Sequence, residues 1–311
     1  LTWAALPVQA EDATAGQCYQ QVLELDPVGY WPADEGTGEV LHDYALGNDA
    51  ELHYVPWKDG LLNFTSLFQW VEIPSCSDYV TRDFSMGLWV FSRRDEYGSL
   101  PSNYAQGVSL FDNAYWSSGY TLDTLYVDSD PKISWRAIRP SGSGAALRLR
   151  GKCGVEVVSG GDRDALGAIS VTPGEWHHIL YTYKAGVKIK GGEDWRELQN
   201  WTTCYEAGTG KLYIDGKLVR SRDSVPFEKR DKAFLIGNDA YWWHYPNFAD
   251  WGGVSLDGSV KELVLFDRAI KPEEVASLYQ MTKPDARPPK RISENAEKGT
   301  KSSPAFSDLM D

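Results

Sequence analysis

Asn238-Asp-Ala-Tyr-Trp-Trp-His-Tyr-Pro-Asn-Phe-Ala-Asp-Trp251 sets rings beside short polar side chains. That mixture suits a sugar. A sugar presents flat apolar faces that aromatic rings cover, rimmed by hydroxyls that Asp, Asn and backbone groups bond. Asp112-Asn-Ala-Tyr-Trp116 repeats the start of that pattern, and each stretch follows an apolar run. Tyr115, Trp116, Asn238, Asp239, Tyr241, Trp242, Trp243 and His244 are therefore the candidate ligand-binding residues. The alternative is packing. Burying one such ring stabilises by roughly 1.5–3 kcal/mol, so the same side chains could fold back on a core.

Other chemistry finds less support. A glycosidase needs two carboxyl groups, about 5 Å or about 6.5–9.5 Å apart. Glu193-Asp194 with Glu197 is the nearest cluster, but it lies in a polar stretch that reads as a solvated loop. His177 and His178 are neighbours on a predicted strand and so point to opposite faces, which bars joint ligation of a metal from one side. A lyase could use a Tyr/His pair, with His178, Tyr183 or His244 as candidates, though nothing in the sequence selects them. Cys18, Cys76, Cys153 and Cys204 form no CxxC pair, which argues against a zinc knuckle. An even count in an exported chain suggests two disulfides; nearness along the chain favours Cys18–Cys76 and Cys153–Cys204. Asn63-Phe-Thr65 and Asn200-Trp-Thr202 are glycosylation triplets, relevant where secreted proteins are glycosylated.

The 311 residues carry 44 acidic and 31 basic side chains, a net charge of −13. Nucleic-acid affinity comes mostly from clustered Lys and Arg neutralising phosphates. The basic run Arg287–Arg291 lies in the tail, so nucleic acid is not an expected partner. The opening Leu1–Ala10 is apolar and uncharged, and Val8-Gln9-Ala10 fits a small-x-small cleavage pattern. Residues 1–10 thus read as a signal-peptide remnant, which predicts a secreted, extracellular or periplasmic protein. No other stretch approaches the ~18 apolar residues of a membrane span, so membrane insertion is not expected.

The elements that would position these residues are mostly strands. Residues 17–30 contain a short helical stretch that Pro27 ends. Phe84–Ser92 is apolar on both faces, as a sandwich strand is. Gly107–Phe111, Gly119–Val127 and Lys132–Ala137 read as further strands, and Glu175–Tyr183 alternates cleanly. Lys211–Val219 is a predicted hairpin, with Asp215-Gly216 as the signal for a type I′ turn. Val260–Asp267 is the last strand; a helix follows over Lys271–Tyr279, with Pro272 at its start and Glu273 and Glu274 in its first turn. Residues 186–206 form a predicted insertion between strands. Residues 283–311 lack apolar periodicity and read as a disordered tail or linker.

This series of segments resembles the bacterial laminin-G-like, concanavalin A-like jelly-roll domains. Pro27-Val-Gly-Tyr-Trp31, Asp34-Glu-Gly-Thr-Gly38, His42-Asp43 and Gly47-Asn48 are similar to their opening. Gly60–Phe64, Val71–Pro74 and Phe84–Ser92 resemble the next strands. Gly174-Glu-Trp-His-His178, Leu212–Leu218, Asp257–Ile270 and the helix from Glu273 to Tyr279 resemble the rest, in the same order over residues 19–280. The resemblance implies an all-β fold: a two-sheet antiparallel β-sandwich (jelly roll) with short N- and C-terminal helices, spanning residues 11–282. It also implies a structural calcium (Ca2+) on the sandwich rim, with Asp43, Asn48 and Asp257 as its protein ligands; the alternative is that these residues simply cap turns. Hydrolases of this fold place E-x-D-x-x-E or E-x-D-x-E on one strand, and no predicted strand here carries either pattern. Binding is favoured over catalysis: a secreted module for a glycan or a cell-surface protein, acting through rim loops. A polysaccharide-cleaving enzyme on the same scaffold and an adhesion component of the cell envelope are the alternatives.

Overall fold

The computed structural model describes residues 19–65, 69–74, 83–94, 108–112, 115–116, 142–143, 145–150, 154–159, 169–186, 188–190, 204–227, 233–237 and 256–284. Among these residues the strands form two large antiparallel sheets. The first runs Gly29–Trp31, Gly258–Phe266, Phe84–Ser92, Trp176–Lys184, Cys204–Ile214 and Lys188–Lys190, and Lys217–Phe227 also pairs with Cys204–Ile214. The second runs Ile169–Ser170, Gly154–Ser159, Ala145–Arg150, Val108–Asp112, Phe234–Ile236, Trp70–Ile73, Ala50–His53 and Val40–Leu41.

The alternation of each strand sorts its side chains into two cores. Phe84, Met86, Leu88 and Val90 face inward with Ile179, Tyr181 and Tyr183 of the neighbouring strand. They meet Leu52, Val71, Ile73, Phe234 and Ile236 of the second sheet, and this is the sandwich core. Residues of opposite parity, Leu180, Val264 and Phe266, leave by the first sheet's outer face. There two helices cover them: the helical turn at 19–23 brings Tyr19 and Val22, and Pro272–Met281 brings Val275 and Leu278. Each fully buried aliphatic or aromatic side chain contributes roughly 1.5–3 kcal/mol, so the second core is what docks both helices on the sheet.

Gly258–Phe266 keeps its apolar residues inward only by breaking step. Val260 and Leu263 both belong to the sandwich core, three residues apart. The register against Phe84–Ser92 shifts between Lys261 and Val264, and Glu262 sits at φ 54°. This is a β-bulge: one extra residue resets the period-two alternation. Glu262 is buried, and its carboxylate accepts a hydrogen bond from Tyr30 Oη at 2.7 Å.

The predicted hairpin is present and longer than its sequence signal. Asp215 and Gly216 have φ values of 51° and 74°, the two positive values a type I′ turn needs, and the arms run from Cys204 to Phe227. The predicted insertion begins and ends as ladder, since Lys188–Lys190 pairs with Cys204–Glu206. The helix over Pro272–Met281 starts at its proline as expected. Glu274 accepts from the Lys271 N–H at 2.7 Å and takes a bidentate grip from Arg268, whose guanidinium also reaches Leu25 O at 2.7 Å. Arg268 thus ties the two helices together.

The predicted strands Gly119–Val127 and Lys132–Ala137, the signal remnant, Cys18, Cys76, Cys153 and residues 285–311 of the tail lie outside the described residues. Cys204 enters only as the first backbone position of its strand.

Candidate functional site

The helices cover the outer face of the first sheet. The outer face of the second sheet carries a different set of side chains. With Leu52, Val71 and Ile73 turned inward, alternation turns Glu51, His53, Trp70 and Glu72 outward. Register then brings them together. Glu51 stands directly opposite Glu72, and His53 directly opposite Trp70. The row continues from Glu72 to Leu235 and from Leu235 to the position of Asp112.

His53 lies flat on Trp70, with ring centroids 4.3 Å apart and planes 8° from parallel. Tyr54 meets the same indole edge-on at 6.4 Å. The Nε2 atom of His53 lies 3.4 Å from Glu72 Oε2 and 3.8 Å from Glu51 Oε2; it is buried and makes no hydrogen bond. Glu51 is 70% exposed and Glu72 42%. Like charges placed directly opposite on paired strands destabilise a sheet, so this carboxylate pair is kept against a cost. Chemically the group offers the partly exposed ring of His53, backed by the buried indole of Trp70, with a carboxylate oxygen of Glu51 and one of Glu72 near its edge. Sequence reasoning missed all four residues, because their convergence depends on which strands pair.

The strand that precedes the aromatic stretch pairs with the strand of Trp70. Ile236 pairs with Val71, so the next position, Gly237, falls against Trp70. Gly237 has φ 86°, and a Cβ there would sit 2.3 Å from Phe64 Cε1, so glycine is required. Asn238, Asp239, Tyr241, Trp242, Trp243 and His244 follow at once in the chain and lie outside the described residues. Tyr115 and Trp116 pair in backbone with Ser143 and Gly142. Val108–Asp112 runs antiparallel to Phe234–Ile236, so the chain leaves these strands for the two aromatic stretches at opposite ends.

The rim residues are engaged otherwise than the calcium expectation requires. Asp43 is buried, and its carboxylate accepts four backbone N–H groups: Tyr30 at 2.8 Å, Ala45 at 2.9 Å, Leu46 at 3.2 Å and Asn48 at 3.0 Å. Asn48 donates its amide to Pro74 O and accepts Trp31 Nε1–H on its backbone carbonyl. Asp257 is paired with Arg93 Nε at 2.7 Å and Arg94 Nε at 3.3 Å. Calcium wants oxygens with free lone pairs and no neighbouring cations. The carboxylates of Asp43 and Asp257 are thus engaged by backbone N–H groups and by the two arginines.

The paired histidines divide as their spacing predicts. His177 turns to the hairpin: its Nδ1 lies 2.9 Å from Asp215 Oδ2 and its Nε2 takes the Thr172 N–H at 3.1 Å. The hydrogen bond to Asp215 holds the His177 imidazole above its usual range, against the opposing effect of burial. Burial works to raise Asp215, but hydrogen bonds from His177 and the His178 N–H outweigh it and hold that carboxyl below its usual value. His178 faces the other way, beneath the terminal helix, where burial pushes it down to about 4. Tyr183 lies in the sandwich core with its hydroxyl donating to Val225 O. His178 and Tyr183 are therefore on opposite faces of one strand and do not form a lyase pair. Glu193, Asp194, Glu197 and His244 lie outside the described residues. Among the described residues no helix is long and apolar enough to cross a membrane.

Comparison with known proteins agrees with this architecture. Residues 192–276 match the family model described as the concanavalin A-like lectin/glucanases superfamily. No curated protein matches the chain. A Trypanosoma rangeli sialidase, solved with 2,3-difluorosialic acid as a covalent intermediate, is similar in structure at 15% identity and a TM-score of 0.51; the match covers 88% of this chain and 38% of that one. Domain 4 of an extracellular arabinanase from Geobacillus stearothermophilus, solved with arabinotriose, aligns at 14% identity and a TM-score of 0.42, over 82% of this chain and 98% of that one.

Proposed function

We propose that this concanavalin A-like domain is a carbohydrate-binding module whose ligand lies on the outer face of the second sheet. The observation that supports it is the His53–Trp70 stack with Glu51 and Glu72 converging at its edge. A ring platform covers the apolar face of a sugar, and carboxylate oxygens accept its hydroxyl protons. The stretch Asn238–Trp251, which follows Gly237 in the chain, adds rings and amides to the composition a sugar site needs. The likeness to the sialidase supports the fold; the ligand class rests on the residues. Export is part of this reading, supported by the apolar, uncharged Leu1–Ala10.

The test is a glycan array followed by calorimetry on the hits. His53→Ala and Glu72→Gln should each weaken binding by about tenfold, the effect of losing one stacking or hydrogen-bonding partner, while the melting temperature holds. An array without hits, or variants that bind like the parent, would sink the assignment.

A second reading has one observation in its favour. A glycoside hydrolase requires two carboxyl groups about 5 Å or about 6.5–9.5 Å apart, and Glu51 and Glu72 are two carboxylates on directly opposed positions. Release of reducing sugar from a polysaccharide panel, abolished by both Glu51→Gln and Glu72→Gln, would establish it; binding without turnover would leave the module reading.

A further inference from the structure

The terminal helix Pro272–Met281 closes over a buried histidine. His178 is 1% exposed, and its Nδ1 has no hydrogen-bond partner. Its ring sits 5.4 Å from Trp89, its cross-strand neighbour, and 6.0 Å from Tyr279 of the helix. Tyr279 stacks on Trp89 at 5.4 Å, and Trp89 Nε1–H donates to Thr282 Oγ1 at 2.8 Å, just past the helix end. The last turn of the helix and the residue after it thus form the roof of the His178 site.

We propose that this helix is a pH-gated latch: it docks over neutral His178 and lifts when that imidazole takes up a proton. A proton there creates a charge in an apolar, aromatic enclosure, and that charge is strongly disfavoured without a partner. The core cannot relieve it, because His178 lies within a strand hydrogen-bonded on both sides. The helix can, since its C-terminal end leaves the sheet when Tyr279 and Thr282 let go of Trp89.

The charged and titratable groups around the imidazole come from the strands as well as the helix: Lys261, buried on the next strand, stands directly opposite Trp89 and adds a like charge one strand away. From the hairpin, Asp215 exerts an attraction that favours the proton, and burial outweighs it. From the helix side come Tyr279 and, beyond it, Lys283, whose Nζ lies 4.6 Å over the Tyr279 ring and adds a like charge. Glu273, on the first turn of the same helix, acts on Tyr213. His177, on the same strand, points the opposite way and is held by Asp215.

The experiment is hydrogen exchange on the whole chain between pH 7 and pH 3.5, corrected for intrinsic rates, together with NMR titration of the His178 ring. Amides of Val275–Thr282 should lose protection in step with His178 protonation, while those of Leu88 and Ile179 in the sandwich core stay protected. His178→Phe should shift the helix midpoint down by at least about one pH unit, because the titrating group is gone. His178→Asn provides the same comparison if the phenylalanine variant does not fold. Loss of protection by helix and core together, or an unmoved midpoint in both variants, overturns the latch.

Discussion

Removing the Asp43 carboxylate tests how the N-terminal loop is held. In Asp43→Ala four backbone N–H groups lose their acceptor at once. They are not equivalent. Tyr30 is fully buried in the first strand, so its N–H cannot turn to water, and stranding it costs about 1–3 kcal/mol. The N–H groups of Ala45, Leu46 and Asn48 lie in a loop that is partly exposed, where water replaces most of what is lost, leaving about 0.5 kcal/mol each. The expected loss is thus about 2.5–4.5 kcal/mol. Asp43→Asn keeps one carbonyl oxygen and should lose about half as much. Urea unfolding monitored by circular dichroism measures both, with a shifted midpoint and an unchanged slope. Two results would refute the reasoning. A loss below about 1 kcal/mol would mean the loop does not depend on this anchor. A loss that chelator reproduces in the parent protein would mean the carboxylate works through a bound cation.

Other outcomes follow from the same geometry. The melting temperature in calcium should equal that in chelator, because the oxygens of Asp43 and Asp257 already hold N–H and guanidinium donors; a rise with calcium, read by differential scanning calorimetry, would show ligands of another kind. The His177–Asp215 pair should stabilise the fold below the ordinary histidine pKa, and that contribution should fade as pH rises through the raised value; it should also fade in acid, as pH falls through the lowered Asp215 value. In Asp215→Asn an NMR titration should return His177 towards its ordinary range, and an unmoved midpoint would mean the pair is not its cause. Gly237→Ala should cost about 2–4 kcal/mol, since it combines a strained φ with a Cβ in the Phe64 ring; a neutral result by urea unfolding would show that this junction yields.

The parts legible in the sequence are those fixed by local pattern. Phe84–Ser92 announces a sandwich strand and is one to the residue, because both of its faces are covered. Asp215-Gly216 announces its turn type through the positive φ it demands, and Pro272 announces the first helical position through its missing N–H. The division of His177 from His178 follows from alternation alone. What the sequence hides is pairing at a distance. Glu51 and Glu72 look like two scattered surface acids until strand order sets them opposite each other. Trp70 is buried, and it backs the ring of His53 only because the two are register partners. Glu262 shows no sign of a bulge in its neighbours, since the extra residue is defined against Phe84–Ser92. The rim acids mislead for the opposite reason. Asp and Asn suit both a cation and a turn, and composition cannot tell which set of donors arrives.

The strand order of the first sheet also dictates a schedule. Gly29–Trp31 has its ladder partner in Gly258–Phe266, and the bond from Tyr30 to Glu262 joins residues 232 apart. At ribosomal speeds of about 5–20 residues per second, the first of these strands waits about 10–50 s for the second to exist. Phe84–Ser92, apolar on both faces, has both edges unmatched until Trp176–Lys184 is made and one until Gly258–Phe266 follows. Such an edge invites pairing with another nascent chain. A chain cut short before Gly258 should therefore aggregate rather than fold in part.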